Sequence, residues 1–203
     1  MLLHRTLQHR TVVQSANRKV VNKSHRGNVV RIIGGTYRSR ILHFPDAEGL
    51  RPTPDRVRET VFNWLGQRMH GLVCLDAFAG SGALGFEAAS RGAERVVMLE
   101  RDSKARAALR QNATLLAAAN IDIQQLDALA YLSRPGELFD VIFLDPPFNT
   151  ELLKPALQSA KTRMRPGGRI YAESPAPLSP EGYTVLRQGR AGLSHFCLLE
   201  PLV

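Results

Sequence analysis

Four consecutive residues carry the side chains best suited to chemistry, directly after the apolar run VIFL: Asp145, Pro146, Pro147 and Phe148. Two prolines in a row remove two N–H donors and fix the backbone, so this corner presents acceptors and almost no donors. An exocyclic amine on a nucleobase needs such a corner, because its lone pair stays delocalised into the ring until its N–H groups are held. The Asp145 carboxylate and the Pro146 carbonyl can accept those hydrogens, and the Phe148 ring can stack the base. The tetrapeptide predicts a catalytic corner that orients an amine, with a proline-stiffened strand end and a buried Phe as the alternative.

A Gly-rich loop after an earlier apolar strand could hold the reagent for that amine. Its glycines Gly80, Gly82 and Gly85 match G-x-G-x-x-G, a spacing that also occurs in dinucleotide-binding proteins. Small residues let a ligand approach the backbone, and the helix that follows presents free N–H groups. Asp76 precedes the first glycine by four positions. A carboxylate there suits the ammonium and sulfonium of S-adenosylmethionine and would repel a pyrophosphate, so the loop favours S-adenosylmethionine over NAD.

Two further acids follow the next two strands of the pattern. Glu100 ends the second strand, where a carboxylate can accept both ribose hydroxyls of either cofactor, so it does not discriminate between them. Asp127 comes just past the third strand and can accept from the adenine amino group, although a turn or helix-cap role explains it equally well. The predicted reaction is an in-line methyl transfer with positioning as the main catalytic contribution. The nitrogen becomes more acidic as it bonds to the methyl group, so no strong base is required.

Alternating strands and helices from residue 72 onward position these residues. The predicted strands are LVCLD, RVVMLE, IDIQQL, FDVIFLD and RIYAES, and helices are predicted after FAGSG, from Asp102, and from Thr150 to Met164. Near-continuous apolar strands are typical of a parallel sheet covered on both faces, and YTVLRQG and SHFCLLEPL predict a closing antiparallel pair. The predicted fold class is α/β, with a mostly parallel seven-stranded sheet, helices on both faces and a closing antiparallel pair.

The N-terminal part of the chain carries the whole net charge. Residues 1–45 hold nine Lys or Arg and no acid, whereas 46–203 hold 18 basic and 18 acidic residues, so the net charge of +9 belongs to the former. An acid-free stretch beside a neutral domain favours a polyanionic partner, nucleic acid first. We predict a basic flexible arm over 1–28, an RNA-facing β-hairpin and connection over 29–54, and a methyltransferase domain over 55–203. The hairpin strands VVRII and TYRSRILHF supply three candidate RNA contacts: Arg31, Arg38 and Arg40.

The composition and the cysteine spacing argue against a membrane protein, a secreted protein and a metal-binding protein. The apolar content of 44% is that of a globular protein, and no uncharged apolar run is long enough to cross a bilayer. The start MLLHRTLQHR puts Arg and His where a secretory signal needs its apolar core. Cys74 and Cys197 lie in apolar stretches without CxxC or zinc-type spacing, which predicts reduced thiols and no metal site. We expect a cytoplasmic monomer with no membrane partner.

The glycine loop, Glu100 and the Asp145 tetrapeptide together resemble the class I amino-methyltransferases, which implies that the α/β fold is the Rossmann-like fold of class I methyltransferases. The runs RIIGGTYRSR, LRPTPDRVRETVFNWL, LDAFAGSGALGFEAASRGA, FLDPPF and IYAES are similar, over about residues 29–175, to the bacterial 16S ribosomal RNA (guanine-N2)-methyltransferase family. The resemblance implies methylation of the N2 amine of one guanine in 16S rRNA, guanine 966 in the family, during small-subunit assembly. It implies that 145–148 hold the guanine and that the cofactor is held by Asp76, Phe78, Gly80, Gly82, Glu100 and Asp127.

The segment from Arg51 to Leu65 is the most specific part of the resemblance. In such enzymes its Arg-Pro-Thr run lies over the cofactor, which implies that Thr53 contacts the cofactor and that Arg51 and Arg56 contact RNA. Exposed arginines at an ordinary helix start explain these residues almost as well. The long basic arm departs from the family pattern, and the resemblance assigns it no role.

Four other functions stay open on the sequence. DNA adenine or cytosine amino-methyltransferases use a similar tetrapeptide, and a non-catalytic RNA-binding assembly factor would need only the basic arm. Protein glutamine methylation is associated with Asn in the first position of the tetrapeptide, where this chain has Asp145. An NAD oxidoreductase would account for the glycines but would leave the tetrapeptide without a role, which ranks it last.

Overall fold

The computed structural model describes residues 28–46 and 52–202. The predicted arm up to residue 27 and the segment 47–51, which contains the candidate RNA contact Arg51, lie outside the described residues. A small antiparallel sheet begins the described chain, with β1 (Asn28–Arg31) paired to β2 (Ile41–Phe44).

Seven further strands form a large sheet: β3 (Val73–Asp76), β4 (Arg95–Leu99), β5 (Ile121–Gln124), β6 (Phe139–Leu144), β7 (Met164–Ser174), β8 (Tyr183–Ala191) and β9 (Ser194–Pro201). Across the sheet they lie in the order β5-β4-β3-β6-β7-β9-β8. Neighbours from β5 to β7 are parallel, whereas β9 is antiparallel to both β7 and β8. The long apolar strands are parallel because helical crossovers connect them, and the tight turn between β8 and β9 permits only an antiparallel pair.

Helices cover both faces of the large sheet: α1 (Asp55–Trp64), α2 (Ala83–Ser90), α3 (Ser103–Leu116), α4 (Ala128–Leu132) and α5 (Leu153–Ala160). Successive strand residues point to opposite faces, so the sheet supports two separate cores. On one face, Cys74 and Phe143 of the sheet pack with α1, α2, α3 and the β1–β2 pair. On the other face, Leu75 and Ile142 pack with α4 and α5.

The predicted fold class agrees with this architecture, with local differences. The N-terminal strand pair and the antiparallel closure are present, but Arg38 and Arg40 lie in the connection 32–40 and not on a strand. Helix α4 has no counterpart in the sequence prediction, because five residues are too few to show a helical period. The helix predicted from Thr150 to Met164 is shorter in the structure, where α5 ends at Ala160 and β7 begins at Met164. The run Pro166-Gly167-Gly168 lies within β7, at an irregularity in its pairing with β6 that tolerates such residues.

A buried ion pair ties the β1–β2 connection to the helices on its face. Glu87 of α2 and Arg58 of α1 are both fully buried, and 3.2 Å separates Arg58 Nη1 from Glu87 Oε2. The Ile33 and Gly34 N–H groups each donate to the Glu87 carboxylate at 2.8 Å, and the Arg91 guanidinium does so at the same distance. A carboxylate at this depth is tolerated because charged and polar donors surround it.

The Arg58 guanidinium distributes its other donors around the entry to α1. Its Nε donates to the Thr53 carbonyl at 3.2 Å, and its Nη2 donates to the Arg31 carbonyl at 2.8 Å and to the Asp55 carboxylate at 2.6 Å. Asp55 is therefore engaged by Arg58, and the cap position of α1 belongs to Pro54. One guanidinium thus holds three parts of the fold together: the end of β1, the segment that leads into α1, and α2.

We expect Arg58→Met to lower the free energy of unfolding by about 3–5 kcal/mol, because it leaves the Glu87 charge buried with a cationic partner removed. Urea denaturation followed by circular dichroism measures this loss. Arg56→Met, at an exposed position of the same helix, is the matched control and should change the free energy by less than about 0.5 kcal/mol. Equal losses in the two variants would contradict the role of Arg58.

Candidate active site

Four acids stand at the carboxyl ends of four neighbouring strands. Asp76 ends β3, Glu100 follows β4, Asp145 follows β6, and Glu173 lies one residue before the end of β7. These strands are parallel and adjacent in the order β4-β3-β6-β7, so the four acids share one edge of the sheet. In open α/β sheets, ligands bind in the crevice outside this edge.

The Gly-rich loop is tied to two of these acids. The Gly80 N–H donates to Glu100 Oε2 at 2.9 Å, and the Gly85 N–H donates to Asp76 Oδ2 at 2.9 Å. Glu100 Oε1 also accepts from the Asp102 N–H at 2.7 Å, which connects the loop to the start of α3. The loop between β3 and α2 is therefore held by side chains from two strand ends.

Packing explains why two of the loop positions are glycines. Gly82 has a φ of +80°, and a Cβ there would come within 2.6 Å of Leu109 Cδ2 and of the Phe86 ring. A Cβ on Gly85 would lie 2.9 Å from Met98 Cε, between α2 and β4. Gly82 is thus required by its positive φ and close neighbours, and Gly85 by the close packing of α2 on β4, and neither requirement depends on which cofactor binds.

Asp76 is 2% exposed, and this burial governs its protonation. Burial raises the pKa of its carboxyl to about 7, the Gly85 and Phe78 N–H groups oppose the rise, and the Glu100 charge adds to it. Phe78 is half-buried and packs against the core that α4 and α5 form with the sheet. A positively charged ligand group next to Asp76 would favour its ionised form and so bind there.

Asp145 lies half-buried beside the approach to α1. The Thr53 hydroxyl donates to Asp145 Oδ2 at 3.1 Å, and Thr53 itself is buried, with its carbonyl held by Arg58. Burial, followed by the nearby Glu173 charge, raises the pKa of Asp145 well above its ordinary value. The Thr53 hydrogen bond opposes this rise, and the Asp76 charge adds a smaller contribution to it. The corner therefore holds a carboxyl with a high affinity for a proton.

The rest of the tetrapeptide forms a rigid turn with one exposed ring. Pro146 is buried, Pro147 is exposed, and Phe148 is 42% exposed. The Thr150 N–H and hydroxyl donate to the Pro147 carbonyl at 3.1 and 2.6 Å, which closes the turn. The tetrapeptide does follow a strand end, but Phe148 is not buried, and stacking of a base on its ring stays a prediction.

Glu173 is a residue of this edge that the sequence analysis missed. Its Oε2 accepts from the Tyr171 hydroxyl at 2.7 Å, and its Oε1 accepts from the Ser194 hydroxyl at 2.5 Å. The available signal was an acid near the end of the predicted strand RIYAES, a position equivalent to those of Glu100 and Asp145. Thr53, expected at the cofactor, contacts Asp145 in the structure.

Comparisons with known proteins cover most of the chain. A family model described as "Conserved hypothetical protein 95" matches residues 30–200. Ribosomal RNA small subunit methyltransferase D from Haemophilus influenzae is 38% identical over 192 residues, which are 90% of this chain and 99% of that protein. Its namesake from Escherichia coli strain K12 is 39% identical over 180 residues, 86% of this chain and 90% of that protein. The chain belongs to this methyltransferase D family.

Solved structures agree with this assignment. A putative methyltransferase, yhhF, from Escherichia coli has a TM-score of 0.77 at 37% identity and covers 86% of this chain and 99% of its own. A putative methylase, HI0767, from Haemophilus influenzae has a TM-score of 0.73 at 37% identity, with coverages of 87% and 100%. The class I methyltransferase fold and the family resemblance predicted from the sequence are confirmed.

In this member of the methyltransferase D family, Asp127 caps α4. Its Oδ1 accepts from the Ala130 N–H at 2.9 Å, and 3.3 Å separates its Oδ2 from Arg101 Nη1. The Ala130 N–H and the Arg101 charge lower the pKa of Asp127. The capping alternative of the sequence analysis is therefore correct, and the contact with adenine stays a prediction.

Four candidate RNA contacts lie on the surface of the described chain: Arg31, Arg38, Arg40 and Arg56. Arg40 Nη2 donates to the Leu115 carbonyl in α3 at 3.2 Å. Arg38 lies two residues after Thr36, whose N–H donates to the Ser90 carbonyl at the end of α2 at 2.7 Å. Because the eight residues of α2 span about 12 Å, Arg38 lies at the end of α2 that is far from the glycine loop. RNA contact by these arginines stays a prediction.

Neither a metal cluster nor a membrane helix is found among residues 28–46 and 52–202. No group of three or more His, Cys, Asp or Glu side chains there could hold a metal ion, and no helix there has the length and apolar character needed to cross a membrane. Cys74 and Cys197 are free and buried, and burial raises the pKa of each thiol to about 12. At neutral pH both therefore remain protonated thiols.

We expect Asp76→Asn to make the free energy of unfolding less dependent on pH. The folded-state pKa of about 7 exceeds the ordinary value of 3.8, so the folded protein holds this proton more strongly and loses stability as the pH rises between these values. The stability difference between variant and wild type should grow over this interval and then level off. Urea denaturation at several pH values checks this, with the exposed Asp46→Asn as control. A difference that stays constant with pH would contradict the raised pKa.

Proposed function

We propose that the chain transfers a methyl group from S-adenosylmethionine to the N2 amine of one guanine in 16S rRNA, with position 966 as the family's expected target, during small-subunit assembly. The observation that carries this proposal is the acceptor corner of Asp145, Pro146 and exposed Phe148 beside the glycine loop. Two relatives are named ribosomal RNA small subunit methyltransferase D. A tRNA (guanine(26)-N(2))-dimethyltransferase from Methanosphaera stadtmanae, 34% identical over 105 residues, half of this chain and 26% of that protein, supports guanine N2 as the atom.

Two carboxylates of the site suit the chemistry of S-adenosylmethionine. A nearby ammonium or sulfonium would stabilise the buried Asp76 as a carboxylate, because burial alone disfavours its charge. Glu100 accepts two backbone N–H groups, and each of its oxygens has a second lone pair that can accept a ribose hydroxyl. When bound, the cofactor supplies an electrophilic methyl group on a positively charged sulfur.

Other residues of the site complete the proposed cofactor pocket. Half-buried Gly80 lets a ligand approach the backbone of the loop, buried Gly82 permits the turn that leads into α2, and half-buried Phe78 adds an apolar surface. Asp127 keeps lone pairs beyond its bonds to α4 and Arg101 with which to accept from adenine. Thr53 acts where the cofactor's methyl group meets the target amine, because its hydroxyl contacts Asp145.

Asp145 and the Pro146 carbonyl act on the target amine. They accept its two N–H groups, which directs the lone pair out of the ring and toward the methyl group, so that positioning lowers the barrier. The Thr53 hydroxyl occupies Oδ2 of Asp145 and leaves Oδ1 for the amine. The exposed Phe148 ring stacks on the guanine, which has to leave any helix in which it is paired.

The proposed polymer is small-subunit rRNA, as naked RNA or in an assembling particle. The basic N-terminal part of the chain supports this choice, since Lys and Arg neutralise phosphates. Protonated thiols fit the cytoplasm, where the enzyme would act as a monomer without a metal. The arginines assigned to RNA are Arg31, Arg38, Arg40, Arg51 and Arg56.

Cofactor binding can be tested apart from catalysis. Glu100→Ala should weaken S-adenosylhomocysteine binding by about tenfold or more, because it removes the ribose acceptor and frees the Gly80 N–H. Isothermal titration calorimetry measures this, and Asp145→Ala should bind like the wild type. Absence of heat with the wild type would contradict the proposal and favour a non-catalytic RNA-binding assembly factor.

Methyl transfer tests the catalytic corner. Asp145→Ala, in a folded protein, should lose more than about tenfold in transfer of radiolabelled methyl groups to small-subunit rRNA or particles, because the amine loses its acceptor. Glu181→Gln, at an exposed turn, is the control and should retain full activity. Nucleoside analysis should find N2-methylguanosine. Unaltered activity of Asp145→Ala would contradict the mechanism, and methylated adenine or cytosine in DNA would support a DNA amino-methyltransferase instead.

A further inference from the structure

Glu173 lies directly beside Asp145 in the sheet. In the register of β6 with β7, Leu144 pairs with Ala172, so the next positions are Asp145, directly past the end of β6, and Glu173 on β7. Registered neighbours on parallel strands point to the same face, which here is also the face of Phe143. The two carboxylates therefore face a common space at the edge where the target amine would bind.

The Glu173 carboxylate is fixed in this position by β7 and β9. Tyr171 and Ser194 each donate a hydroxyl hydrogen to it, at 2.7 and 2.5 Å, and Glu173 is 5% exposed. The Tyr171 ring is buried, with its centroid 6.3 Å from that of Phe143 and 6.4 Å from that of Phe196. A side chain held between two donors on this packed aromatic support cannot turn toward solvent.

Glu173 has no cationic partner in the part of the chain that the structure describes. The ion pairs found there include neither Glu173 nor Asp145, whereas Glu87, which is also buried, has two arginines. Both hydrogen bonds to Glu173 come from neutral hydroxyls. Its negative charge is thus uncompensated and acts on its neighbour in the sheet.

We propose that Glu173 is a positioning residue whose charge makes Asp145 the acceptor of the proton that the target amine releases on methylation. This inference rests on the proposed function. The lone pair of the target amine forms the new N–C bond to the methyl group. The bond between that methyl group and the sulfonium of S-adenosylmethionine breaks, and its electron pair goes to the sulfur, which becomes neutral. One N–H bond of the resulting cationic amine then breaks, its electrons stay on nitrogen, and the proton moves to the Asp145 carboxylate. Asp145 passes the proton to water after the base has left.

The groups that face Asp145 act on its proton in opposite directions. Burial and the Glu173 charge raise the pKa of Asp145 most, and the Asp76 charge at the end of β3 adds to them. The Thr53 hydroxyl, at the entry to α1, lowers this pKa because it donates to the ionised form. Tyr171 on β7 faces the same pair as a neutral donor, since burial and the Glu173 charge raise its own pKa well above the ordinary value. The sequence analysis gave Asp145 only an orienting role, and the neighbouring charge adds proton acceptance.

The pH dependence of single-turnover methyl transfer tests this proposal. The wild-type rate should rise with pH as Asp145 ionises, with a midpoint above the ordinary carboxyl range. Glu173→Gln should move that midpoint to lower pH by about one unit or more, a tenfold change in proton concentration, and lower the plateau rate. Glu173→Asp keeps the charge and should retain the raised midpoint. Thr53→Val should move it to higher pH, and Glu181→Gln should leave it in place.

A reduced rate in Glu173→Gln with an unmoved midpoint would indicate a merely structural role and overturn the proposal. A carbon-13 NMR titration of the Asp145 carboxyl in the protein without RNA gives a second readout, in wild type and Glu173→Gln. An ordinary carboxyl pKa for Asp145 in the wild type would also overturn it. If the wild type transfers no methyl group to any RNA, the proposed function fails while the titration still reports on the carboxyl pair. If transfer occurs but the titration does not respond to Glu173→Gln, only the present inference fails.

Discussion

The buried carboxylate of Glu87 is the charge on which the arrangement of the surrounding segments depends. Two guanidinium groups and two backbone N–H groups converge on its carboxylate. An unpaired charge at that depth would cost several kcal/mol, so the segments that supply these donors have to dock together. Arg58 in turn holds the Thr53 carbonyl, and the Thr53 hydroxyl donates to Asp145. The Asp145 corner is thus connected to the buried Glu87 charge through Arg58 and Thr53.

The sheet edge shows the opposite electrostatic balance. Asp76, Asp145 and Glu173 are buried or half-buried, and none of them has a cationic partner among the described residues. Burial raises the pKa of Asp76 to about 7 and that of Asp145 well above its ordinary value. A sulfonium and a developing cationic amine would supply the missing positive charge. These carboxyls therefore lie where burial disfavours their charged forms, and a cationic group bound beside them would reverse that balance.

Local patterns in the sequence were sufficient to predict where the sheet, the glycine loop and the Asp145 corner lie. Strand ends, glycines and prolines have short-range effects on the backbone, so a short stretch of sequence shows them. The buried pair of Arg58 and Glu87 could not be predicted, since each occupies a helix position where a charged residue usually meets solvent. To predict that Glu173 belongs to the site, one would need to know the β7–β9 pairing, which brings Ser194, 21 residues further along the chain, to its carboxylate. Long-range contacts of this kind decide which acids are buried, and no local pattern reports them.

The hydrogen bond between Thr53 and Asp145 joins residues that are 92 positions apart. Closing a loop of this length costs conformational entropy, which the contacts that it brings together have to offset. A chain in which only the parallel strands and the glycine loop were assembled would lack the Thr53 hydroxyl at Asp145. The Asp145 corner therefore has its full set of contacts only when the N-terminal strands and α1 are docked on the sheet.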